Sequence, residues 1–134
     1  METNDYCDYN LSLALKKAGF DYPCYFYYTR EDAPDDHVWS TTSEEAPIDY
    51  NRSVYAGCSM PTLAQAQKWL RSRGIDIEPH MELVGAKRKY RLVLLPLGHE
   101  VSYGKLHPSY EEALEAGIEA ALIIIEIDSK KSTK

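Results

Sequence analysis

The chain is poor in the signals that announce chemistry. Its cysteines number three, an odd count, and Cys7, Cys24 and Cys58 form no Cys-x-x-Cys pair. That excludes a disulfide framework and a zinc ribbon, and leaves three reduced, partly buried thiols. Histidines 37, 80, 99 and 107 have no His-x-His or i, i+4 spacing and none lies near a cysteine in sequence. No metal site and no other cofactor is therefore expected. A glycine-rich phosphate loop is missing as well. The longest strongly apolar run, Ala120 to Ile125, is far too short to span a bilayer, so no membrane partner is expected. The acidic start Met-Glu-Thr-Asn-Asp has no basic segment followed by an apolar one, unlike a secretory signal. These absences point to a soluble, cytoplasmic protein.

What is present suits one globular domain over residues 1–134, with 44% hydrophobic and 27% charged residues. The net charge of -6 weighs against loose affinity for nucleic acid, whose phosphates demand cations. The charges are blocked, however. Glu31, Asp32, Asp35, Asp36, Glu44, Glu45 and Asp49 crowd one segment; Lys68, Arg71, Arg73, Lys87, Arg88, Lys89 and Arg91 crowd another. Such blocks are commonly solvated faces, with a partner surface as the sharper reading. Residues 30–52 read as an acidic loop or insertion, or as a phosphate-mimicking surface.

The periodicities give an α+β fold: an antiparallel sheet of three to five strands packed by two to three helices, ending in an α-β-β-β-α run. Leu11, Ala14, Leu15 and Ala18 make one helical stripe over Asn10–Ala18, with Gly19 as a left-handed cap. Cys24–Thr29, dense in aromatics, reads as a strand, with short strands at His37–Thr41 and Ser53–Gly57. Ser59 opens a helix that runs over Pro61–Arg73, with Thr62 and Gln65 as a capping box. Ile75 and Ile77 alternate with Asp76 and Glu78, so a strand follows at once. Pro79 should break or bulge it and places it at an edge. Residues 85–89 read as a basic turn, and Tyr90–Leu95, apolar on nearly both faces, as a central strand. Val101–Leu106 is the third strand. Ser109 and Glu112 cap a closing helix to Ile125 that buries Tyr110, Leu114, Ile118, Ala121 and Ile125. Residues 128–134 read as a flexible tail.

Three stretches in this order, Lys16-Lys-Ala-Gly-Phe-Asp-Tyr-Pro-Cys24, Pro61-Thr-Leu-Ala-Gln-Ala-Gln-Lys-Trp-Leu70 and Ser109-Tyr-Glu-Glu-Ala-Leu-Glu-Ala-Gly117, carry a resemblance. The chain resembles uncharacterised small proteins of prophages and mobile elements in gut Bacteroides-type bacteria. The shared motifs are structural: a helix end, a helix start and a helix face. The resemblance implies an accessory, phage-related setting and a compact α+β domain, and it carries over no catalytic residue.

Two candidate chemistries remain. Cys58, in Ala-Gly-Cys-Ser-Met, would gain nucleophilicity just before a helix N-terminus if a histidine stood near as base. Strand-end packing is the plainer expectation. The three strands and closing helix share the outline of a double-stranded-RNA-binding domain, but Glu111 and Glu112 stand where that module needs cations. A basic hairpin over 85–91 keeps nucleic acid in view. Its contacts would be Lys68, Arg71, Lys87, Arg88, Lys89 and Arg91, provided they converge on one face. The preferred expectation is a non-enzymatic binding module with a protein partner, its eleven tyrosines suiting such a surface. Nucleic acid is the alternative and an enzyme the third.

Overall fold

A computed structural model of the chain describes residues 5–28, 38–40, 47–52, 57–96 and 101–132. The fold is α+β, with three α-helices and two antiparallel sheets among the described residues. The sequence suggests one sheet, and the structure has two. By its contacts the chain falls into two compact units, 1–66 and 67–134, each with its own sheet. Two sheets follow from two separate apolar sets, one aromatic and one aliphatic, each large enough to need its own cover.

In the first unit, α1 (Tyr9–Ala18) begins at Asp8, whose carboxylate accepts the Leu11 N–H at 2.8 Å. It ends as the glycine demands. Gly19 takes φ 100°, and the Phe20 N–H returns to the Leu15 carbonyl at 3.0 Å. Strands β1 (Phe26–Tyr28), β2 (Val38–Ser40) and β3 (Cys58–Met60) form a sheet in the order β2-β1-β3. Buried Tyr28, Cys58 and Met60 pack with Tyr6, Tyr9, Leu13 and Phe26. Tyr9 meets Tyr28 edge to face at 5.5 Å, and Tyr6 meets Phe26 likewise at 5.4 Å. Ser59 belongs to β3, not to the opening of a helix, because residues 58–60 pair with β1 before the chain turns. The expected strand at 53–57 falls mostly outside the described residues. So do most of the acidic segment, His37 and His99.

Asn51 ties this unit together. It is the central residue of a 3-10 turn (Tyr50–Arg52), donates from Nδ2 to the Phe20 carbonyl at 2.9 Å and accepts the Ser59 N–H at 2.8 Å. One amide thereby joins the end of α1 to β3.

Helix α2 (Leu63–Ser72) opens with the expected box. Thr62 N–H donates to Gln65 Oε1 at 2.8 Å, and Gln65 N–H donates to Thr62 Oγ at 3.0 Å. The second sheet has the order β4-β5-β6, with β4 at Ile75–Val84, β5 at Lys87–Pro96 and β6 at Val101–His107. Strand β5 is central, and Leu92, Val93 and Leu94 are buried on both faces. Pro79 does not break β4: it stays paired with Leu92 in an unbroken register, because β4 is an edge. The irregularity lies between β5 and β6, at Arg91/Val93.

Helix α3 (Tyr110–Ser132) crosses this sheet. It continues beyond the expected end at Ile125 and into the segment read as a tail. Leu114, Ile118 and Ala121 are buried as expected. Tyr110 is not: it lies at the helix start and meets Tyr90 edge to face at 6.0 Å. Trp69, Leu70, Leu92, Leu94, Leu114 and Ile118 are all buried.

Candidate functional site

The β4–β5 hairpin reaches past the start of the helix that covers it: Tyr110, the first residue of α3, meets Tyr90, and Gly117 lies further down the strands against Ile77 and Leu92. Val84 pairs with Lys87 across a two-residue turn, Gly85-Ala86, with Gly85 at φ 64°. The five-residue basic turn expected over 85–89 is thus a tight one, and Lys87, Arg88 and Lys89 lie within β5. A tight turn wins because glycine accepts the left-handed backbone that twisted hairpins require.

Strand alternation then sorts the side chains. Residues opposite one another share a face. Ile75, Ile77, Pro79, Met81 and Leu83 share theirs with Arg88, Tyr90, Leu92 and Leu94. This is the face that α3 packs on, since Gly117 sits against Ile77 and Leu92. Toward the tip the cover runs out: Met81 is 51% and Leu83 68% exposed, with Val84 50% exposed on the opposite face.

The other face carries Asp76, Glu78, His80 and Glu82 of β4 against Lys87, Lys89 and Arg91 of β5. Here acids meet bases. Arg91 Nε lies 3.1 Å from Glu82 Oε2, and Lys89 stands directly opposite Glu82. Arg71, on α2, pairs with Asp76 at 3.6 Å. The six candidate nucleic-acid residues therefore do not share one face. Lys87, Lys89 and Arg91 point one way and Arg88 the other, while Lys68 and Arg71 belong to a helix. Arg71 and Arg91 already have carboxylate partners.

The outer edge of β4 is half closed. Gln67 Nε2, on α2, donates to the Ile77 carbonyl at 2.9 Å. A ligand on that carbonyl, and a two-residue turn that makes Val84–Lys87 a hydrogen-bonded pair, place odd-numbered β4 polar groups on the outside. Pro79 falls in that set, and it has no N–H to offer. Beyond it, Met81 and Leu83 direct their N–H and C=O groups outward, and no bond to them is made among the described residues. An open groove of about 390 Å³ runs beside the first half of the strand, lined by Gln67, Arg71, Asp76, Glu78, His80 and Tyr110. His80 lies 3.6 Å from Glu78 there.

The thiols lie elsewhere. Cys7, Cys24 and Cys58 form no disulfide and are fully buried. Cys58 sits in a strand rather than before a helix. Burial pushes its thiol up to about 11, and the nearby Lys16 ammonium only partly offsets this. Burial likewise pushes Cys24 up to about 12, with the Ser59 hydroxyl pulling down and Asp49 pushing up. Neither is a thiolate at neutral pH, so neither is an activated nucleophile. No cluster of three metal-ligating side chains occurs among the described residues. No described helix is long and apolar enough to cross a membrane.

Sequence reasoning found the hairpin but assigned its function to the cations. The apolar tip escaped it because Met81, Leu83 and Val84 read as ordinary strand residues until the reach of α3 is known. Comparison with family models, with curated proteins and with solved structures finds no match.

Proposed function

We propose that the chain is a non-enzymatic, cytoplasmic protein-binding module and that the distal half of the β4–β5 hairpin is its contact surface. The observation that carries this reading is the run of exposed Met81, Leu83 and Val84 on a strand whose outer edge is open beyond Pro79. Apolar side chains beside unpaired backbone groups are what a partner protein covers. Mixed charge around the tip supplies the polar rim typical of such contacts. An accessory, phage-related setting suits a small chain of this kind and belongs to the same proposal.

The test compares two double variants in cross-linking and affinity capture from the source organism. Met81→Lys/Leu83→Lys should lose the captured protein, because lysine on an edge strand blocks pairing. Lys87→Glu/Arg88→Glu should keep it. The reverse pattern, with nucleic acid in the captured material, would favour the alternative contact through the basic residues.

A further inference from the structure

We propose that the open half of β4 pairs with the same segment of a second copy of this chain, antiparallel and two-fold symmetric about Met81. This deepens the hairpin reading and rests on it. Register selects the pairing. Only odd-numbered residues offer outward backbone groups, so a symmetric ladder must centre on one residue of β4. Centring on His80 sets Glu78 opposite the partner's Glu82 and His80 opposite its own copy. Centring on Glu82 sets that carboxylate opposite itself. Like charges directly opposed are unfavourable. Centring on Leu83 avoids this but shortens the ladder, because Gly85 begins the turn.

Centring on Met81 sets Met81 against Met81 and Leu83 against Pro79, an unbroken apolar row on one face. On the other face His80 stands opposite Glu82 twice over. Glu78 stands opposite Val84, beside Lys87. The missing N–H of Pro79 costs one bond per protomer and leaves those of Met81 and Leu83 in use. The groove beside residues 76–80 lies where the partner's hairpin tip must pass, and it is open. The product is a continuous six-stranded sheet. Its contact is small, so the dimer belongs to the weak, reversible class.

The 134-residue chain should rise from 15.3 kDa toward twice that mass with concentration in sedimentation equilibrium. Met81→Cys should form an interchain disulfide on mild oxidation, since directly opposed strand residues lie within disulfide range. The native thiols are buried and do not compete. Leu83→Cys should not cross-link. His80→Glu should weaken association about ten-fold through its two symmetric contacts, and His80→Lys should not weaken it. A chain that stays monomeric at millimolar concentration, or cross-links at Leu83 rather than Met81, overturns the proposal. A monomer whose partner capture still depends on Leu83 overturns the dimer and keeps the hairpin reading. Capture indifferent to Met81→Lys/Leu83→Lys removes the reading itself.

Discussion

Where α3 crosses the second sheet, a methyl group on Gly117 would lie 2.5 Å from Ile77 Cγ2 and 2.7 Å from Leu92 Cδ1. Glycine is there for proximity. It lets the helix backbone rest on two buried strand residues. Gly117→Ala gains helix propensity of about 1 kcal/mol but must displace both side chains, at roughly 1–3 kcal/mol. We expect net destabilisation, seen as a lower urea midpoint. An unchanged or higher midpoint would mean that the sheet yields freely. The buried thiols make a second residue-scale prediction. Folded pKa values raised from 9.0 to about 12 for Cys24 and about 11 for Cys58 mean that the folded state holds protons the unfolded state releases. Their contribution to stability is complete below pH 9 and is lost as pH rises through 11 and 12. Urea midpoints should fall above pH 9, and Cys24→Ala/Cys58→Ala should flatten that slope. Equal slopes in both proteins would contradict the linkage.

At the scale of elements, local signals were legible and non-local ones were not. The Thr62/Gln65 box, the Gly19 cap and the edge position of β4 each rest on residues a few places apart, whose geometry is fixed by short-range chemistry. Thr62→Ala should cost about 1 kcal/mol by removing a bond to the Gln65 N–H. Leu114 is buried, and Leu114→Ala should cost about 2–5 kcal/mol. The ordering of these two losses in chemical denaturation checks whether caps or packing dominate α2 and α3. The features missed are those set by distant partners. Strand β3 exists because Tyr28 and Cys58 pair across a long separation. The role of Asn51 depends on Phe20 and Ser59. Helix α3 runs on past Ile125, although nothing in the sequence before residue 128 marks where it should end. The candidate site was half legible. The hairpin and its cations were visible, but the exposure of Met81 and Leu83 follows from where α3 starts.

The whole molecule carries a net charge of -6, and this decides how its basic residues should behave toward nucleic acid. A polyanion binds where several cations converge, each releasing a counterion, so affinity falls steeply with salt. In the second unit Arg71 and Arg91 are engaged by Asp76 and Glu82, and strand alternation parts Arg88 from Lys87 and Lys89. Lys87 and Arg88 are thus the exposed pair at the tip, pointing to opposite faces. With Lys68 on a helix, Lys89 set opposite Glu82 and Lys87 and Arg88 divergent, the remaining cations on this acidic chain are too scattered to hold a duplex at physiological salt. We therefore expect DNA and RNA binding to be undetectable under those conditions. Any low-salt association should have a shallow salt slope, and Lys87→Glu/Arg88→Glu should abolish it. Micromolar binding with a steep slope, weakened by that charge reversal, would show that the cations act together despite their geometry. The hairpin would then be a nucleic-acid contact, and its apolar edge would need another explanation.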